Sequence, residues 1–163
     1  IDPTTLTATY ARDSQKNFDM TNYQFTLKQV PVMEPSSVVT ITFPPEIIPD
    51  VSSQCGMIAP FVAVNLVCTL TTPSILRVTL PSSSSISSDT PLTITVTKVR
   101  NPTSFNSPGD FTIKTFTSGA TYKYASGTTS NKLANTIASS FKQVSGTYTP
   151  GILDTDISLS ISF

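Results

Sequence analysis

Along most of this chain an aliphatic or aromatic residue is followed by threonine or serine and then by another apolar residue. That period of two suits a strand with one buried and one wet face, not a helix, whose apolar stripe recurs every three to four residues. In Ser37–Phe43 the pattern puts Val39, Ile41 and Phe43 on one side; in Ile75–Leu80 it selects Leu76, Val78 and Leu80. Leu92–Lys98 offers Leu92, Ile94 and Val96, and Asp110–Phe116 offers Phe111 and Ile113. The cleanest run is Asp156–Phe163, with Ile157, Leu159, Ile161 and Phe163 on one face and serines on the other. Further strands are expected at Thr5–Tyr10, Tyr23–Val30, Leu66–Leu70, Ala120–Ala125 and Ser140–Thr149. Pro31, Pro35, Pro44, Pro45, Pro49, Pro73, Pro81, Pro102, Pro108 and Pro150 stand between the runs as turn residues. Thr129–Ser140 reads as a loop or one short helix. The expectation is an all-β chain, an immunoglobulin-like antiparallel β-sandwich of about eight to ten strands, with a closed barrel as the second choice.

At 163 residues the chain is expected to form one domain over 1–163. Charged residues are 12% of it, well under the ~25% usual in soluble domains, and ten basic and ten acidic side chains cancel. The basic residues are spread evenly from Arg12 to Lys142, so no patch invites nucleic acid. Histidine is absent, which excludes Ser-His-Asp and Cys-His catalysis and every histidine-containing zinc site. The longest apolar stretch, Met57–Val67, is broken by Pro60 and Asn65 and falls short of the ~20 residues that span a bilayer. The chain opens Ile1-Asp2-Pro3, as expected of a processed end or of a start inside a longer chain.

Cys55 and Cys68 lie close enough to bridge a short loop, and a disulfide is expected, pointing to an oxidising compartment; a pair of buried free thiols is the alternative. Two thiols without histidine do not fill a zinc shell. Inside the loop, Met57–Val64 reads as a buried strand or as an exposed contact surface. The serines Ser82, Ser83, Ser84, Ser85, Ser87 and Ser88 form a low-complexity loop and are candidate O-glycan acceptors; Asn101-Pro102-Thr103 is excluded from N-glycosylation by its proline. Asp13, Asn17 and Asp19, and separately Asp154 and Asp156, have loose calcium-ligand spacing but match no known calcium loop, so they read as turn residues. No metal and no cofactor is expected, and no carboxylate pair stands out for glycosidic chemistry.

Taken in order, Thr21–Thr26 (TNYQFT), Ser37–Pro44 (SVVTITFP), the cysteine pair, Thr93–Pro102 (TITVTKVRNP) and Asp110–Gly119 (DFTIKTFTSG) resemble the Ig-like repeat modules of very large, Ser/Thr-rich surface and secreted proteins of ciliates. The resemblance covers most of positions 4 to 141. It implies an extracellular structural or adhesive module without catalysis, and it brings no catalytic residues. Beside it, the residues suggest a subunit or tandem repeat of a surface fibre whose partners are other copies of the same domain. Strand-like stretches at 1–11 and 142–163 are candidate assembly strands, and Ile157, Leu159, Ile161 and Phe163 are the residues that strand addition would use. A Lys to Asn or Asp isopeptide link is a variant of that reading. The alternative is an adhesive or carbohydrate-binding module. Its aromatic candidates are Tyr10, Tyr23, Tyr122, Tyr124 and Tyr148, with Tyr122 and Tyr124 expected on one strand face.

Overall fold

The computed structural model describes residues 4–61, 64–104 and 106–135. Ten strands run in chain order: β1 (Thr4–Arg12), β2 (Met20–Gln29), β3 (Val38–Thr42), β4 (Ile48–Pro49), β5 (Cys55–Ala59), β6 (Val64–Thr72), β7 (Ile75–Thr79), β8 (Leu92–Arg100), β9 (Thr112–Phe116) and β10 (Lys123–Thr128). The alternating residues fall as their parity requires. Val39, Ile41, Leu76, Val78, Leu92, Ile94, Val96, Phe111 and Ile113 are all buried, while the intervening threonines stay at the surface or half-buried. β-branched threonine keeps the extended backbone favourable on the wet face without adding charge.

The strands do not make the open Ig-like sandwich that the pattern suggested. Hydrogen-bonded neighbours run β2-β1-β10-β9-β3-β7-β6-β5-β8, and β8 pairs again with β2, so nine strands close into a barrel. Two long strands cause this, because each changes partner along its length. In β1, Thr4 and Thr5 pair in parallel with Ala125 and Ser126 of β10, and Leu6–Arg12 pair antiparallel with β2. In β6, Val64–Leu66 pair with β5, whereas Val67–Thr72 pair with β7. Each of these strands therefore joins both walls, where a sandwich would leave a gap. Short β4 shares the edge of β8 with β5, pairing at Val99 and Arg100 beyond the β5 contacts at Thr93–Val96. β5 is an element that the chain pattern left undecided: within Met57–Val64, Met57 is buried but Ile58 and Phe61 are exposed, so the stretch divides between core and surface.

The barrel is filled with side chains. Phe111 lies at the hub of an aromatic cluster, with ring centroids 4.7 Å from Tyr10, 5.0 Å from Phe25, 5.4 Å from Phe43 and 5.9 Å from Tyr23. The tilted and edge-on ring geometries suit aromatic quadrupoles better than face-to-face stacking. The serine-rich segment is a loop between β7 and β8, yet one residue anchors it. Ile86 is buried and exchanges two backbone hydrogen bonds with Met33, at 2.9 and 2.8 Å. No helix forms over residues 129–135, which run as a loop. The expected strands at Ser140–Thr149 and Asp156–Phe163 lie outside the described residues.

Candidate functional site

At the end of the barrel where β1 and β8 stop, inward parity delivers a charge. Leu6, Ala8 and Tyr10 point inward along β1, and the next inward position is Arg12, which is 7% exposed. Its Nη1 donates to Asn135 Oδ1 at 2.7 Å, to Asn101 Oδ1 at 3.2 Å and to the Tyr23 hydroxyl at 3.4 Å. Nη2 donates to the carbonyls of Leu133 and Ala134 at 2.7 and 2.8 Å. No carboxylate is among these partners. The two terminal nitrogens are satisfied by amide and carbonyl oxygens and the Tyr23 hydroxyl, which offsets part of the large cost of removing a charge from water, while the buried Nε has no hydrogen-bond partner among the described residues.

The acceptors are held in turn. Asn101 Nδ2 donates to the carbonyls of Ser14 and Lys16, at 2.9 and 2.8 Å. Asn135 Nδ2 donates to those of Pro102 and Ser104, at 2.8 and 2.7 Å. Tyr23 donates to Asn101 Oδ1 at 2.7 Å. Burial pushes the Tyr23 hydroxyl up to about 12, against the opposing pull of Arg12, so the phenol stays neutral at physiological pH. The loop after β10 is threaded onto this frame: Asn131 accepts from the Tyr10 N–H at 2.9 Å and donates to the Tyr10 carbonyl at 2.6 Å, while the Leu133 N–H donates to the Tyr10 hydroxyl at 2.9 Å. An always-protonated arginine, a neutral phenol and two amides provide neither a nucleophile nor a general base. What they provide is a lock, which fastens residues 131–135 and two loops to one end of the barrel.

The residues singled out from the sequence are dispersed. Cys55 and Cys68 are joined by a disulfide, with Cα atoms 5.9 Å apart, at the corner where β6 passes from β5 to β7. Ser82, Ser83, Ser85, Ser87 and Ser88 are exposed and Ser84 is half-buried. Tyr122 is exposed in the bend before β10, whereas Tyr124 sits at a register shift between Lys123 and Ala125 and packs partly against the core. Tyr10 and Tyr23 are interior. Asp13 accepts from Asn22 at 2.9 Å, Asp19 accepts from Ser14, and Asn17 donates to the Thr103 carbonyl at 3.3 Å, as turn residues do. The buried asparagines Asn101 and Asn135 face arginine, which does not form an isopeptide link; the lysines that meet aspartates do so at the surface, Lys28 with Asp89 and Lys132 with Asp110. Of the candidate assembly strand 1–11, the described residues 4–11 are paired with β2 on one side and with β10 and residues 129–131 on the other. Ile157, Leu159, Ile161 and Phe163 lie outside the described residues.

Hollows mark the surface formed by the described residues. One, of about 280 Å³, is lined by Met20, Ile48, Pro49, Asp50, Val51 and Arg100. Another, of about 370 Å³, lies along Ser53–Cys55 and Asn65–Cys68, beside the disulfide. In the first, the Asp50 carboxylate is held below its ordinary range by hydrogen bonds from the Ser52 hydroxyl and N–H. No described helix is long and apolar enough to cross a membrane.

No protein-family model and no curated protein matches the chain. Among solved structures, it is similar to the bacterial hydrophobin BslA at 11% identity and TM-score 0.49, over 80% of this chain and 98% of that one. It is similar to the pilus backbone protein of Streptococcus pneumoniae at 6% identity and TM-score 0.40, over 68% of this chain and 30% of that one. A family GH18 chitinase from Chromobacterium violaceum is similar at 14% identity and TM-score 0.41, over 79% of this chain and 19% of the chitinase.

Proposed function

We propose that this chain is a structural module of an extracellular or cell-surface fibre, a subunit or tandem repeat that joins to further copies of itself, with Ile157–Phe163 serving as an added strand. The observation that carries the reading is a closed barrel whose interior is filled by the Phe111 aromatic cluster and whose end is sealed by the Arg12 lock. Such a body suits bearing load and passing it along the chain. The Cys55–Cys68 disulfide supports the oxidising surroundings of a secreted or surface protein. Zero net charge gives copies little reason to repel one another. The resemblance of Thr21–Thr26, Ser37–Pro44, Thr93–Pro102 and Asp110–Gly119 to modules of ciliate surface proteins adds to the same reading.

Electron microscopy of the purified full chain tests it. Filaments or linear oligomers with an axial repeat near one barrel length are expected, and particles that stay dispersed at every concentration would sink the proposal.

A further inference from the structure

The closed barrel has one weak corner. β6 is held by β5 only at Val64–Leu66, through the register pairs Cys55↔Leu66, Gly56↔Asn65 and Met57↔Val64. Beyond Leu66 it turns onto the other wall, and Val67–Thr72 pair with β7 alone. Among the described residues this is the longest stretch of strand with one edge unpaired. The Cys55–Cys68 bridge spans its lip, and the hollow lined by Ser53, Gln54, Asn65 and Val67 runs beside it.

Natural edges are blunted with charge, proline or short length, because an unpaired ladder is a template for another strand. Here Val64–Thr72 carries no charged residue and no proline, and Val67 is 73% exposed. The core beneath it is also thinly covered. Cys68 and Leu70 point toward the interior but are only half-buried, while their β7 partners Val78 and Leu76 are 0% and 1% exposed. One more strand would complete both the ladder and the cover.

Residues 136–163 contain a segment of matching form. Ile157, Leu159, Ile161 and Phe163 recur at strand period on one face, Ser158, Ser160 and Ser162 lie on the other, and no charge follows Asp156. We infer that the open edge of β6, Val67–Thr72, is the acceptor site for the Ile157–Phe163 segment of a second copy of this chain. This inference rests on the fibre reading above and names the surface that reading requires. The added strand makes main-chain hydrogen bonds to β6 and lays apolar side chains against Cys68 and Leu70, the division of labour that strand addition uses for affinity and specificity.

Two full-length variants test this in sedimentation velocity. Val67→Lys with Thr69→Lys charges the edge at two exposed positions, and Leu159→Asp with Ile161→Asp spoils the donor. Each alone is expected to self-associate at least about tenfold more weakly than the unaltered chain. An equimolar mixture should form dimers and nothing longer, because only one intact donor and one intact edge meet; that recovery also shows both variants to be folded. A mixture that stays monomeric overturns the inference. Edge variants that associate as the unaltered chain does overturn the β6 site, while a weakened donor variant would leave strand addition standing. If donor variants associate normally, strand addition itself falls. A monomeric parent chain in which the 67–72 amides that point away from β7 exchange slowly, and are released by the donor substitutions, places the segment on its own edge and overturns the second-copy assignment; a monomeric parent in which those outward amides exchange rapidly overturns it as well.

Discussion

Tyr23 occupies an ordinary inward position of β2, but its hydroxyl lies where no water can solvate a phenolate. Burial raises its pKa to about 12, above the 10.0 of a free tyrosine, so the sign of its linkage follows directly. Below pH 10 the phenol is neutral both folded and unfolded, and its contribution to stability is complete. Between pH 10 and 12 the unfolded chain releases the proton while the folded one keeps it, so stability falls by about 2–3 kcal/mol as pH rises through that window. Urea midpoints measured from pH 9 to 12 should show a steeper decline for the unaltered chain than for Tyr23→Phe, and equal slopes would mean that the hydroxyl is not held as described. Part of this residue scale was legible from parity. Arg12 follows Leu6, Ala8 and Tyr10 on the inward side, Gln29 follows Phe25 and Leu27, and Thr115 follows Phe111 and Ile113, and all three polar residues are buried. Their partners were not legible: Gln29 receives the Thr115 hydroxyl 86 positions away, and Arg12 reaches Asn135 across 123. Spacing along the chain carries no record of such meetings.

At the scale of elements, strand positions follow from local sequence, but their pairing depends on space. Gly127 shows this at the seam where β1 leaves β10 for β2. A Cβ there would lie 2.0 Å from the Leu6 carbonyl oxygen and 3.0 Å from its carbon, so only glycine permits the approach that closes the barrel. Gly127→Ala is expected to destabilise the chain by about 1–3 kcal/mol, because backbone rather than a flexible side chain stands in the way. Gly56 makes a control: its Cβ would meet the Val64 carbonyl oxygen at an ordinary 3.6 Å. Denaturant midpoints of the two variants decide the matter, and equal effects would contradict the seam. Nothing in the Ala125-Ser126-Gly127 stretch distinguishes it from any other strand glycine. The register of β10 against Thr4 and Thr5 is what makes Gly127 indispensable.

The whole molecule is a circuit of hydrogen bonds, and its thinnest joint is the β5–β6 corner that the disulfide crosses. The cysteines are 13 positions apart, so the bridge is expected to contribute about 3 kcal/mol by restricting the unfolded chain. Reduction, or Cys55→Ala with Cys68→Ala, should lower the urea midpoint and, by freeing the unfolded chain, steepen the slope; an unaltered midpoint would show that the corner is secure without it. Which residues face inward along the alternating runs of β1, β2, β3, β7 and β9, and along Leu92–Val96 of β8, was decided by the sequence alone, because the strand period is a local property of the backbone. Closure was decided only by tertiary structure. The same alternation serves a sandwich and a barrel equally well, and the choice depends on β1 and β6 exchanging neighbours midway, on the missing side chain at Gly127, and on an arginine held in part by Leu133, Ala134 and Asn135 at the far end of the described chain. Each of these is a relation between distant segments, fixed by packing in three dimensions and without a counterpart in the order of residues.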